Sequence, residues 1–201
     1  MESNQLYTMR NIQILLCAVV LAFCIPVDAL YAQNSSKEMR ELLKSLKNEK
    51  EINCVIDMSQ VIIHGKREAD FVYVEDISTP EDWTKLWETE YKPSLIHDFL
   101  GSFNEHMFDF GHTVRFGNFE QVKYQVRLVL INVSEKGDTI MDAFIEDIQD
   151  KEILYKLYVD GTGGVFGSKV NLMSDGFKRA GGELAHQMNV IFKKGRLGLF
   201  D

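Results

Sequence analysis

The pattern of hydrophobic positions divides the chain into an apolar leader at residues 14–27 and a longer region of regular alternation. An N-terminal amphipathic helix is predicted within 33–50, because its leucines recur at helical spacing among lysines and glutamates. Residues 52–63 alternate with the period of a half-buried strand, which is predicted to stop at Gly65. Two helical turns are predicted over 67–75.

Two further helices are predicted next. Residues 79–82, Thr-Pro-Glu-Asp, form a strong helix opening with a hydroxyl at the cap, a proline where no amide hydrogen is needed and carboxylates in the first turn. Trp83, Trp87 and Tyr91 then fall on one helical face. The next helix is entered through Pro93 and carries a continuous apolar stripe, so it must lie against a sheet.

After a short segment around 114–116, the sheet itself is predicted from three longer segments, residues 124–133, 140–145 and 153–160. The first is apolar on both faces in its later half, which is typical of a central strand. Short polar turns join the three segments, and residues 134–138 have the composition of a hairpin loop, so an antiparallel meander is expected. The last helix is predicted to begin near Ser174.

These elements predict a single α+β domain over residues 33–201. We expect a mainly antiparallel sheet of four or five strands, with two or three helices packed on one face. The terminal helix contains Gly176, Gly181 and Gly182, and each costs about 1 kcal/mol relative to alanine. Close backbone approach usually offsets such a cost, so this helix is expected to press tightly onto the sheet.

The leader has the features of a secretory signal peptide. Its apolar run of 14 residues follows Arg10 and ends near Pro26, and it is shorter than the roughly 18 residues that a membrane span needs. Ala32 is a suitable small residue for signal cleavage. We therefore expect removal of residues 1–32, no transmembrane span after cleavage, and a secreted or periplasmic location.

Charge and cysteine content narrow the functional classes. The formal net charge is −8, and an acidic domain without a basic stripe is a poor candidate for binding nucleic acid. After cleavage Cys54 is the one remaining cysteine, so no intramolecular disulfide is possible in the mature chain. A buried, inert thiol on a strand face is expected, with an intermolecular bridge as the alternative.

The glycine-rich segment 159–169 invites comparison with phosphate-binding loops. The P-loop order requires Gly-Lys followed by Ser or Thr, whereas here Gly167 is followed by Ser168 and then Lys169. The dinucleotide fingerprint also fails, because Phe166 occupies the position of its last glycine. The segment is interpreted as a flexible connector between a strand and a helix.

Catalytic and metal-binding patterns are weak. His97, His106 and His112 cluster in the sequence without a zinc-site spacing, which favours solvated histidines on a polar helix face. The sequence contains no Gly-x-Ser-x-Gly nucleophile elbow and no cysteine in a reactive context. We predict no catalytic residue, no metal ligand and no cofactor.

The aromatic residues Trp83, Trp87 and Tyr91 are the candidate partner-binding residues. They could form a platform for a sugar ring or a peptide, or they could cover an edge of the core. The leading hypothesis is a secreted or periplasmic interaction module that binds a protein or glycan partner in the cell envelope. The alternative is an envelope-associated hydrolase that uses surface carboxylates.

The sequence also resembles a group of uncharacterised small secreted bacterial α+β proteins. The segments that carry this likeness are 57–65, 68–71, 163–169, Asn171-Leu172 and 180–184. In general plan, a meander followed by a glycine-containing terminal helix is similar to the accessory domains of envelope assembly and export systems. Those domains bind other proteins, so the resemblance implies a binding role and supplies no catalytic residue.

Overall fold

The computed structural model describes residues 44–197, and the side chains of 44–193. The predicted signal peptide, the predicted cleavage site at Ala32 and most of the helix predicted within 33–50 lie outside the described residues. The last part of that helix is described, since residues 44–48 are helical and Leu46 is fully buried.

After the helical residues 44–48, the described chain contains seven strands and four further α-helices. The strands are β1 (Glu51–Asp57), β2 (Ile62–Ile63), β3 (Lys66–Arg67), β4 (Arg115–Gly117), β5 (Tyr124–Val133), β6 (Thr139–Asp147) and β7 (Ile153–Gly161). The helices are α1 (Glu68–Ser78), α2 (Trp83–Leu86), α3 (Lys92–Asp109) and α4 (Lys169–Leu197). A π-helical turn, Trp87–Tyr91, joins α2 to α3.

The seven strands form one mixed sheet around β5. On one side β5 pairs in parallel with β1 and, further along, with β2; on the other side it pairs antiparallel with β6, which pairs antiparallel with β7. β4 lies parallel to β1, and β3 lies antiparallel to β2. Five of the seven strands therefore run in one direction.

The α+β class is confirmed, but the prediction of a mainly antiparallel sheet of four or five strands was wrong. The antiparallel meander of β5, β6 and β7 is present as expected. The error concerns β1, which pairs in parallel with both β4 and β5. Three helices lie between β1 and β4 in the sequence, and a crossover connection of this kind brings the chain back parallel to the strand that it left. Alternation along a strand shows which side chains are buried, and it carries no information on strand direction.

The core lies between one face of the sheet and helices α3 and α4. The inward side chains of β5, including Val126, Leu128 and Leu130, are fully buried, whereas the intervening side chains are half-buried or exposed. Helices α3 and α4 also pack closely against each other: a Cβ on Gly181 would lie 2.4 Å from the carbonyl oxygen of Phe99. Gly181 thus serves helix-to-helix packing rather than the expected contact with the sheet.

Two helix starts differ from those predicted. Thr79 ends α1, because its hydroxyl donates to the Glu75 carbonyl, and Asp82 caps α2 by accepting the Lys85 N–H at 2.9 Å. Helix α4 begins at Lys169 instead of near Ser174. The Ser168 hydroxyl accepts the Asn171 N–H at 3.2 Å, which makes Ser168 the cap.

Cys54 lies on β1 and is buried. Burial raises the pKa of its thiol to about 12, so the group stays protonated and unreactive at neutral pH. The predicted burial of this thiol on a strand is confirmed. Among the described helices, none is both long enough and apolar enough to cross a bilayer.

Candidate functional site

The aromatic residues singled out in the sequence lie mainly in the core. Trp83 is 6% exposed and Trp87 is 1% exposed, and the Trp83 ring lies 5.0 Å from that of half-buried Tyr91. The indole N–H of Trp87 donates to the Glu68 carboxylate at 2.7 Å. The two indoles therefore pack the π-helical turn against α1, as in the core-edge alternative, and partner binding by these residues stays a prediction.

A groove of about 340 Å³ lies between α1 and the π-helical turn. Its walls include Tyr73, Thr84 and Trp87, and Glu68 and Glu88 supply its carboxylates. The ammonium group of Lys92 lies 2.7 Å from Glu68 and 3.9 Å from Glu88, so one carboxylate is already compensated within the chain. The groove therefore has aromatic walls and a weak net negative charge.

The glycine loop, residues 162–168, carries the most exposed large apolar side chains of the described region. It follows the carboxyl end of β7 and leads into α4. Val165 is 79% exposed and Phe166 is 89% exposed. Water contact of this extent is unfavourable for a phenylalanine ring, whose full burial is worth roughly 1.5–3 kcal/mol.

Hydrogen bonds from distant elements hold the glycine loop in place. The Gly163 N–H donates to the Asp138 carboxylate at 2.8 Å. The Arg179 guanidinium on α4 donates to the carbonyl groups of Thr162 and Gly163, both at 3.1 Å. The segment predicted to be a flexible connector is therefore an ordered loop, because hydrogen bonds to Asp138 and Arg179 hold it against the β5–β6 turn and α4.

Close backbone packing reinforces these bonds. A Cβ on Gly163 would lie 1.8 Å from the carbonyl oxygen of Lys136 in the β5–β6 turn. A Cβ on Gly164 would lie 2.8 Å from the Leu172 side chain on α4. Because the neighbour of Gly163 is backbone, only glycine fits at that position, and the loop packs against both the turn and the helix.

The carboxylate that anchors the loop remains ionised at neutral pH. Hydrogen bonds from the Gly163 N–H and then from the Ser134 hydroxyl lower the pKa of Asp138. Both bonds favour the charged form, since a carboxylate accepts them better than a carboxylic acid does. The anchor is thus present throughout the neutral range.

Helix α1 lies beside the first turn of α4 and exposes two more apolar side chains. Lys169 of α4 pairs with Glu75 of α1 at 2.5 Å, and the Glu75 side chain is buried. Tyr73 and Ile77 are exposed, and their i, i+4 spacing places them on one face of α1. They lie on the face of α1 opposite to Glu75, so they point away from the contact with α4. Val165 and Phe166 of the glycine loop are referred to below as the apolar surface.

A histidine that the sequence analysis overlooked lies in the same corner. His64 follows β2 in the left-handed backbone region, with φ of 50°, and its N–H donates to the Val133 carbonyl at 2.9 Å. Burial and then the charge of Lys169 lower the pKa of its ring, which favours the neutral form. Its ring meets the edge of Phe71 at 5.0 Å, so it serves packing at this corner.

The three histidines of the sequence cluster do not converge. His97 is exposed, His106 donates from Nδ1 to the Ser102 carbonyl at 2.8 Å, and Nε2 of His112 lies 3.1 Å from Asn189 Oδ1. Across the part of the chain that the structure describes, no three histidine, cysteine or acidic side chains are grouped so that they could hold a metal ion.

Comparisons with protein-family models, with curated proteins and with solved structures found no match for this chain. The sequence did contain a signal for the glycine loop, because two bulky apolar residues stand between glycines at 163–167.

Proposed function

We propose that this chain is an exported interaction module that binds a protein partner through the apolar surface. The observation that carries the proposal is the pair Val165 and Phe166, which project into water from a loop fastened to two other elements. A loop that is already ordered loses little conformational entropy on binding, so the energy of burying its side chains goes largely into affinity. Exposed apolar side chains on an ordered support are typical of interaction sites.

A protein partner fits this surface better than a glycan does. Sugar rings stack on open aromatic faces, and two of the three aromatic residues proposed for that role, Trp83 and Trp87, are buried. The side chains that do reach solvent combine aliphatic and aromatic groups, which suit an apolar pocket on another protein. Glycan binding would instead call for convergent polar groups around an exposed ring.

The location outside the cytosol rests on the leader pattern of residues 1–32. Mass determination of the protein purified from its source cells tests this part of the proposal. A mature chain that begins at Gln33 is expected, and an intact N-terminus would contradict it.

Photo-crosslinking in the source cells tests partner binding. A photoreactive phenylalanine analogue at Phe166 is expected to yield a discrete crosslinked product with one partner protein. The matched control is the same analogue at Phe108, which is 76% exposed. Phe108 lies near the end of α3, which leads toward β4 and the start of β1, so it is at the opposite end of the sheet from the glycine loop.

The expected product should be absent from the Phe108 control and should disappear when Val165 is replaced by aspartate in the Phe166-labelled chain. Equal crosslinking from the two positions, or none from Phe166, would count against the proposal. The chains labelled at Phe166 and at Phe108 and the Val165→Asp variant are all expected to fold normally, since the three native side chains lie mostly in solvent.

The hydrolase alternative has less support from the described residues. Asp57 and Asp138 have shifted pKa values, and both shifts are downward because turn amides donate to the carboxylates. A general acid in a hydrolase needs a raised pKa. These two carboxylates are suited to holding turns.

A further inference from the structure

Strand β7 forms a long open edge of the sheet. Within the described residues its nine residues, Ile153–Gly161, pair with β6 alone. Ile153 and Tyr158 are exposed on it. An open edge of this length offers a row of backbone groups to another strand, and most proteins shorten or cover such edges.

The backbone groups available at this edge can be identified from hydrogen bonds. The Tyr158 carbonyl accepts the side-chain amide of Gln187 at 2.9 Å, so it points away from β6. In an antiparallel ladder the N–H and C=O of one residue point to the same side, and this side alternates along the strand. Lys156 and Asp160 therefore also present their backbone groups to the open edge.

The side chains along this edge are complementary to themselves. If a second copy of β7 pairs antiparallel with the first around Tyr158, Lys156 of each copy faces Asp160 of the other. The same register places the two Tyr158 rings opposite each other and Leu157 opposite Val159. The two Lys156–Asp160 pairs and the Tyr158 pair lie on the face of the sheet that is turned away from the core, where the side chains of β7 are exposed. On β6 the residues opposite Lys156, Tyr158 and Asp160 are Phe144, Asp142 and Ile140.

Neighbouring registers lack this match. Pairing around Lys156 would place two ammonium groups directly opposite each other, which is destabilising. Pairing around Leu157 would place each Lys156 opposite Tyr158 and leave both Asp160 carboxylates without a cation. The register around Tyr158 alone among these three gives two opposite-charge pairs.

We propose that β7 is a homodimerisation edge, at which two copies of this chain join their sheets by antiparallel pairing centred on Tyr158. In the monomer the Gln187 amide donates to the Tyr158 carbonyl, and Tyr158 is the residue that faces its own copy across the twofold axis. Gln187 must therefore release this carbonyl before the two strands can pair. Lys156 already lies 2.9 Å from Asp142, so the second copy adds Asp160 to an ammonium group that has one carboxylate partner.

Sedimentation of the protein purified from cells that produce the full chain tests this proposal. Wild type is expected to show a concentration-dependent dimer. Lys156→Glu and Asp160→Lys should each weaken the dimer about tenfold or more, because each change replaces two attractive pairs with two repulsive ones. Lys151→Glu, in the turn before β7, is the control and should leave the dimer unchanged.

Mixing the two weakened variants separates the proposal from simple misfolding. One copy with Lys156→Glu and one with Asp160→Lys face each other with two opposite-charge pairs, so the mixture should form a heterodimer although each variant alone does not. Gln187→Ala should tighten the wild-type dimer, since it uncovers the Tyr158 carbonyl. A monomer at all concentrations, a dimer unaffected by the single changes, or a mixture that stays monomeric would overturn the proposal.

Discussion

Gly176 lies where the first half of α4 meets the β5–β6 turn, and its replacement by alanine should destabilise the protein strongly. A Cβ at this position would lie 1.9 Å from the carbonyl oxygen of Gly137. The turn cannot yield freely, because a Cβ on Gly137 would itself lie 2.1 Å from the Leu172 carbonyl oxygen. The Thr139 hydroxyl also donates to the Gly176 carbonyl at 3.1 Å.

The expected magnitude follows from two opposing effects. Alanine favours a helix interior by about 1 kcal/mol over glycine. Overpacking at a close backbone contact costs about 1–3 kcal/mol and more where the neighbour is backbone. Because the added methyl group would have to displace a carbonyl group by more than 1 Å, we expect the steric cost to exceed the helical gain and the net loss to be about 2 kcal/mol.

Gly101→Ala is the matched control. Gly101 also lies inside a helix, α3, but a Cβ there would have no atom within 4 Å. This variant should gain about 0.5–1 kcal/mol of stability from helix propensity alone. Urea denaturation followed by circular dichroism measures both changes, and an equal m value would show that the same transition is compared. A Gly176→Ala protein as stable as Gly101→Ala would refute the argument from backbone contact.

Three further outcomes are expected. Asp138→Asn should have a lower urea midpoint than wild type at pH 7. Because the folded-state pKa of Asp138 is lowered, the difference between the two midpoints should narrow as the pH falls below about 4. A difference that stays constant from pH 7 to pH 3 would contradict the anchoring role. Cys54 should resist alkylation by iodoacetamide at pH 8 in the folded protein and react at once in urea, whereas rapid labelling without denaturant would show that β1 opens. Phe166→Ser and Phe108→Ser should both leave the melting temperature within about 2 °C of wild type, since both rings lie mostly in solvent, and a large loss for Phe166→Ser would assign that ring to folding rather than to binding.

The elements that the sequence predicted best are those with local signals. The β5–β7 meander follows from alternation interrupted by short polar turns, and α3 follows from its apolar stripe. The parallel pairing of Asn53 with Gln125 has no local signal, because it depends on how three intervening helices return the chain. The pattern of residues 79–82 predicts a single helix start, yet its first residue ends α1 and its last begins α2.

The candidate site was less predictable for a related reason. Spacing places Trp83 and Trp87 on one helical face, but it does not show that α1 covers that face. The glycine content of the loop suggested mobility, while the groups that fasten it, Asp138 and Arg179, are distant in the sequence. In both cases the deciding contacts are tertiary, and periodicity within one element does not report them.

The position of β1 also has a consequence for how the polypeptide acquires its structure. In synthesis from the amino terminus, β1 is made long before β5, the strand that forms its main ladder. Pairings between segments far apart along the chain are slow to form, and unpaired strands in the interval are prone to aggregate. The carboxy-terminal meander can nucleate first from nearby contacts, so β1, and β4 that pairs with β1, should gain protection from hydrogen exchange after the meander during refolding.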